Sequence, residues 1–170
     1  MIKDQIGYNL EILFIGINPH PGSYRRGVPF SNNKMFWYLL SAAGLLDESR
    51  EILKDDVKLK YIYENLLKQK YKYGLINLVD SPSITAVELN KTEVLPGRKK
   101  ILQAIKKYKP RVVCFIGKGN YALFTGSADV SYGWQSNIGE SKIYVAHAPH
   151  RGLARVRIKE FQEVKKAATK

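Results

Sequence analysis

The chain has 170 residues, of which 45% are hydrophobic and 25% charged. That is enough for one well-buried α/β domain over residues 1–170 and too little for two comfortable ones. No apolar run approaches the ~18 residues that a membrane-spanning helix needs, and Met1-Ile2-Lys3-Asp4-Gln5 lacks the apolar centre of a signal peptide, so the expected address is intracellular and off the membrane. Charge is the informative global quantity: 28 Lys+Arg face 15 Asp+Glu, a formal +13. Such a surplus favours a polyanionic partner through counterion release, although lysine-rich surfaces also serve solubility and heat tolerance.

Taken in chain order, Glu11 to Ile17 is a near-continuous apolar run ending at Asn18-Pro19, the pattern of a strand buried on both faces. A polar loop with Gly and Pro follows from His20 to Ser31. Asn32 or Asn33 is placed to cap a helix with Phe36, Leu39, Leu40 and Ala43 inward and Gly44 near its end. Residues 51–69 read as a charge-mixed helix with Leu59, Ile62, Tyr63 and Leu66 at helical spacing. Tyr73 to Val79 is a second strand, and after Ser81-Pro82-Ser83 a helix is expected near Pro96, carrying Ile101, Ile105 and Tyr108. Arg111 to Ile116 is a third strand, turned by Gly117-Lys118-Gly119 into a short helix. Ser141 to Ala146 is a further strand, and a closing helix after Arg155 points Ile158, Phe161 and Val164 inward. The lone Cys114 sits in an apolar run and reads as a core thiol; one cysteine excludes a structural disulfide and a four-thiolate iron–sulfur cluster.

Strands alternating with helices imply parallel pairing covered on both faces: a single-domain three-layer αβα sandwich with a mostly parallel central sheet. Ligands of such sheets gather at the carboxyl ends of the strands, which directs attention to the loops after Ile17, Val79 and Ala146.

Three constellations in the sequence carry candidate chemistry. Gly16-Ile17-Asn18-Pro19-His20-Pro21-Gly22 holds an asparagine at a strand end, able to bond a water or a planar base but not to act as a strong base; on its own the motif reads first as an Asx turn leaving the strand. Val28-Pro29-Phe30-Ser31 offers an aromatic ring to stack on a planar ligand, or to close the loop over the core. His147-Ala148-Pro149-His150-Arg151-Gly152-Leu153-Ala154-Arg155 combines an apolar tip with arginines, as a wedge between phosphate contacts would; the alternative is a leucine folded back into the core. The two histidines lack the companions of a zinc site, no Gly-x-Ser-x-Gly elbow is present, and no glycine-rich phosphate loop is visible. From His147 to Lys170 there are seven Lys/Arg and two Glu, which suits contact with phosphates.

In order and spacing these segments resemble the uracil-DNA glycosylase superfamily, most closely its mismatch-specific uracil/thymine branch. The likeness runs through Gly16-Ile17-Asn18-Pro19, Pro29-Phe30, Phe36-Trp37, Ala43-Gly44-Leu45, Leu78-Val79-Asp80-Ser81-Pro82, Gly97-Arg98-Lys99-Lys100, Gly117-Lys118 and Gly152-Leu153-Ala154-Arg155-Val156. The resemblance implies a monofunctional DNA glycosylase of base-excision repair. It would flip uracil or thymine out of a mispair with guanine and hydrolyse its N-glycosidic bond, leaving an abasic site. Other damaged bases (hypoxanthine, ethenocytosine) are the alternative within the family, and a non-catalytic basic DNA-binding module the alternative outside it.

By the same resemblance Asn18 positions the hydrolytic water, Phe30 stacks on the base, main-chain amides near Ile17 and Phe30 donate to its carbonyls, and His20 and Asn77 are further base-binding candidates. Arg151, Gly152, Leu153 and Arg155 form the wedge against DNA. Some branches place a histidine in this last loop on the base carbonyl, a part open to His147 or His150; His150 is grouped with Asn18 as catalytic. Two departures stand out: His20 replaces the glycine usual in this branch, and Ala148-Pro149-His150-Arg151 replaces a segment that reads Asn-Pro-Ser. The expected partner is double-stranded DNA with a mispaired or damaged base, bound by a monomer. The chemistry requires no metal and no organic cofactor.

Overall fold

A computed structural model describes residues 1–169. Five strands form one sheet in the order β2-β1-β3-β5-β4. They are β1 (Ile12–Gly16), β2 (Tyr73–Asn77), β3 (Val112–Ile116), β4 (Gly133–Ile138) and β5 (Ser141–Ala146). β1, β2, β3 and β5 are parallel, and β4 pairs antiparallel with β5 at one edge. Every residue of β1, β2 and β3 is buried, as the uniformly apolar runs require of strands covered on both sides.

Side chains alternate across the sheet into two cores. Ile12, Phe14, Val112, Cys114, Tyr73 and Leu75 face one layer, with α2 (Met35–Ala42), α3 (Arg50–Leu53), α4 (Asp56–Tyr61) and α7 (Ala154–Ala168). Leu13, Ile15, Val113, Phe115, Ile143 and Val145 face the other, with α5 (Val94–Tyr108) and α6 (Lys118–Thr125). The architecture is therefore the expected α/β sandwich of three layers. No helix among the described residues is long and apolar enough to cross a membrane.

Local chemistry shifts several boundaries. The His20–Ser31 stretch, expected as a loop, contains α1 (Pro21–Arg26): His20 Nδ1 accepts the Gly22 N–H at 3.0 Å and Pro21 opens the helix. The mixed helix over 51–69 is broken, because the Asp55 carboxylate accepts the N–H groups of Val57 and Lys58 at 2.9 and 3.0 Å and starts α4 afresh; α4 then continues as a π-helical turn, Ile62–Leu66. The N-cap of α2 is neither Asn32 nor Asn33 but Lys34, at positive φ (61°); Asn33, one residue earlier, accepts the Met35 N–H at 3.1 Å. The closing helix begins one residue before Arg155, and α5 two residues before Pro96. Cys114 is fully buried, as expected, and burial pushes its thiol well above the ordinary range.

Candidate active site

Because four strands are parallel, their carboxyl ends converge on one rim of the sheet. Asn18 follows β1, Asn77 ends β2, and the 147–153 loop follows β5. There a cavity of about 370 Å³ is lined by Asn18, Pro19, His20, Ser23, Pro29, Phe30, Asn32, Asn33, Asn77, Ile84 and His150. The structure thus gathers Asn18, His20, Phe30, Asn77 and His150, from four separate segments, around one space.

Asn18 is oriented by its neighbours. Its amide nitrogen donates to Ser83 Oγ at 2.7 Å and to the Ser81 carbonyl at 3.4 Å. That fixes the amide with Nδ2 toward the 81–83 segment and leaves Oδ1 without a hydrogen bond among the described residues, an acceptor beside the cavity. The segment is braced in turn. Glu93 accepts the Ser81 hydroxyl, the Ser81 N–H at 3.3 Å and Asn90 Nδ2 at 2.8 Å, while the Ser83 N–H donates to the Pro19 carbonyl at 3.1 Å. The hydrogen bond from Ser81 holds the Glu93 carboxyl below the usual range. Sequence reasoning missed this bracing: serines in a Ser-Pro-Ser turn carry no signal of which side chain they hold.

Phe30 lies at positive φ (58°), uncommon for an aromatic residue. Its loop is held there: Ser23 Oγ accepts the N–H groups of Ser31 and Asn32 at 3.1 and 3.0 Å, and Trp37 Nε1 donates to the Pro29 carbonyl at 2.8 Å. The ring stacks on Phe36 at 4.4 Å between centroids, closing the loop over the core, and it also lines the cavity. Its main-chain N–H bonds to nothing among the described residues. Asn77 is only 6% exposed, and no hydrogen bond engages its amide among the described residues. The residue lines the cavity, so its unbonded amide offers a donor and an acceptor there to a ligand. Gly16 allows the arrangement: a Cβ there would meet Asn77 Oδ1 at 2.2 Å and the Phe30 ring at 3.2 Å.

The remaining candidates divide. Ile17 does not line the cavity; its side chain packs in the α5/α6 core and its carbonyl accepts the Val79 N–H. His20 lines it and also caps α1 through Nδ1, which leaves Nε2 as the protonated nitrogen of the neutral ring. His150 is an exposed rim residue in the turn Ala148–Arg151, closed by the Arg151 N–H to the Ala148 carbonyl at 3.0 Å. His147 is elsewhere: its Nδ1 lies 2.8 Å from the buried Glu160 carboxylate and its ring stacks on Tyr132 at 3.6 Å. Leu153 does not fold back into the core; it is 58% exposed, just before α7, with Arg151, Gly152 and Arg155 exposed around it. Arg151 also borders a second depression, with Gly117, Lys118 and Tyr132. Among the described residues no three His, Cys, Asp or Glu side chains cluster as metal ligands would.

A family model for the uracil DNA glycosylase superfamily matches residues 4–170. The chain belongs to this superfamily. Its members are DNA glycosylases, hydrolases of DNA repair, and DNA is accordingly the macromolecule on which this chain acts.

Proposed function

We propose that this superfamily member is a monofunctional glycosylase of the mismatch-specific branch. It removes uracil, or thymine mispaired with guanine, from double-stranded DNA, acting as an intracellular monomer. The observation that carries the reading is the oriented amide of Asn18, its Oδ1 left as the acceptor beside a cavity shared with Phe30 and Asn77.

In this reading the target nucleotide leaves the stack, at least cost where it is mispaired, and its base enters the cavity against Phe30. Asn77, with one donor and one acceptor, matches the adjacent N–H and carbonyl on the edge of uracil or thymine. A water held by Asn18 Oδ1 attacks the sugar C1′ as the C1′–N bond breaks and the base departs as an anion. The Phe30 N–H, the Asn77 amide and His150 are the donors available to that charge; preorganised donors lower the barrier because they act on charge that develops in the transition state. An amide does not accept the water's proton, which passes to solvent, so the chemistry is slower than with a carboxylate at this position. Leu153 fills the gap left in the duplex, and Arg151 and Arg155 hold phosphates.

The test is alkaline cleavage of end-labelled duplexes containing uracil, thymine, hypoxanthine or ethenocytosine opposite each base. Strand scission at uracil, and at thymine opposite guanine, is the expected result. Scission confined to another lesion moves the substrate assignment, and none on any duplex leaves a DNA-binding module.

A further inference from the structure

We propose that Arg157 and Glu160, two buried charged residues of α7, are positioning residues that clamp the 147–153 loop and so set where Leu153 and His150 stand. The consequence for catalysis rests on the function proposed above. The clamp itself rests on geometry.

The inward face of α7 carries Arg157, Glu160, Phe161 and Val164, all buried. A helix face packed on a sheet is ordinarily apolar throughout, and burying an ion is costly unless it is paired and fully hydrogen-bonded. Apolar residues of similar volume would serve packing as well or better. The charges are explained by what they hold. Both Glu160 oxygens are taken by His147, one by its N–H at 3.0 Å and the other by ring Nδ1 at 2.8 Å. Arg157 Nη1 donates to the Arg151 carbonyl at 2.7 Å. His147 and Arg151 bracket the turn that carries His150, and Pro149 between them is buried.

Loop entry and loop exit are therefore fastened to one helix, three residues apart along it. What remains exposed between the two fastenings and α7 is His150, Arg151, Gly152 and Leu153. Gly152, at φ 70°, turns the chain from the second fastening into Leu153. Arg157 Nε stays buried without a partner among the described residues, an unfavourable feature that packing alone would not retain.

Three variants test the clamp: R157M, which keeps length without the donor, R157K, which keeps a cationic donor, and E160Q. Amide hydrogen exchange on the DNA-free protein should be about tenfold faster in residues 148–153 of R157M while the sheet stays protected. The preference for a mispaired over a matched duplex should fall about tenfold, the scale of losing a charge-assisted hydrogen bond, and R157K should recover much of it. Added to L153A, R157M should change that preference by less than about twofold, since both act through one loop. Unchanged exchange in 148–153, or effects of R157M and L153A that multiply, overturns the clamp; where R157M does not fold, E160Q, which weakens the His147 fastening, carries the same readings. The exchange result needs neither DNA nor turnover. A wild-type protein that makes no abasic sites would refute the glycosylase reading and leave the clamp standing on its own measurement.

Discussion

At the scale of single residues, the site is built from side chains whose partners leave one atom free. Asn18 spends its donors on Ser81 and Ser83 and keeps an acceptor; His20 spends an acceptor on Gly22 and keeps a donor. Replacing Asn18 by Ala should cut single-turnover cleavage by ~100-fold or more, the scale of removing one key polar group, with duplex affinity nearly unchanged; full activity in that variant would remove Asn18 from the chemistry. Ser83→Ala acts one step back, freeing the amide to rotate. It should lower the cleavage rate by about tenfold, the cost of one hydrogen bond to a functional group, again without weakening binding. A Ser83→Ala protein that binds poorly but cleaves normally once saturated would contradict this order of roles. Phe30→Ala has the opposite signature: losing a stacking platform costs about 1–3 kcal/mol per base and belongs in the affinity for DNA with an extruded base.

At the scale of elements, the loop after β2 is the joint that turns strand geometry into site geometry, and Glu93 holds it at its far end. Because the hydrogen bond from Ser81 depresses the Glu93 pKa, the brace is complete at neutral pH and is lost as pH falls through that lowered value. Glu93→Gln should therefore reduce cleavage at pH 7 and flatten the acid limb of the rate profile; an unaltered limb would assign it to another group. This joint also marks how far the sequence could be read. The four parallel strands were legible because burial on both faces forces continuous apolar runs, and Asn18, Phe30 and Leu153 because they follow such runs or interrupt polar loops. β4 was not, since an edge strand reading Gly133-Trp134-Gln135-Ser136-Asn137-Ile138 is largely exposed and has no apolar alternation to display. Nor was α1, whose start depends on a histidine acting as a cap. Arg157 and Glu160 entered only as part of the charge count over 147–170, because one sequence gives no sign that their partners lie in the preceding loop.

At the scale of the whole molecule, a formal charge of +13 acts on DNA at long range while the proposed base pocket would act at contact, and salt separates the two. Binding that neutralises Z phosphates weakens with a slope of about −0.9Z in log affinity against log salt. Arg151→Ala and Arg155→Ala should each make that slope shallower by about 0.9, and should weaken mispaired and matched duplexes alike, because phosphates carry no sequence. Leu153→Ala should behave in reverse, keeping the wild-type slope and losing affinity for the mispaired duplex alone, since a wedge gains contact only where a base has left the stack. Fluorescence anisotropy on both duplexes between about 50 and 200 mM salt, a range over which several phosphate contacts change affinity by orders of magnitude, measures slope and preference together. If Leu153→Ala changes the slope, or weakens both duplexes equally, the leucine is one more surface contact and the duplex is opened by something else.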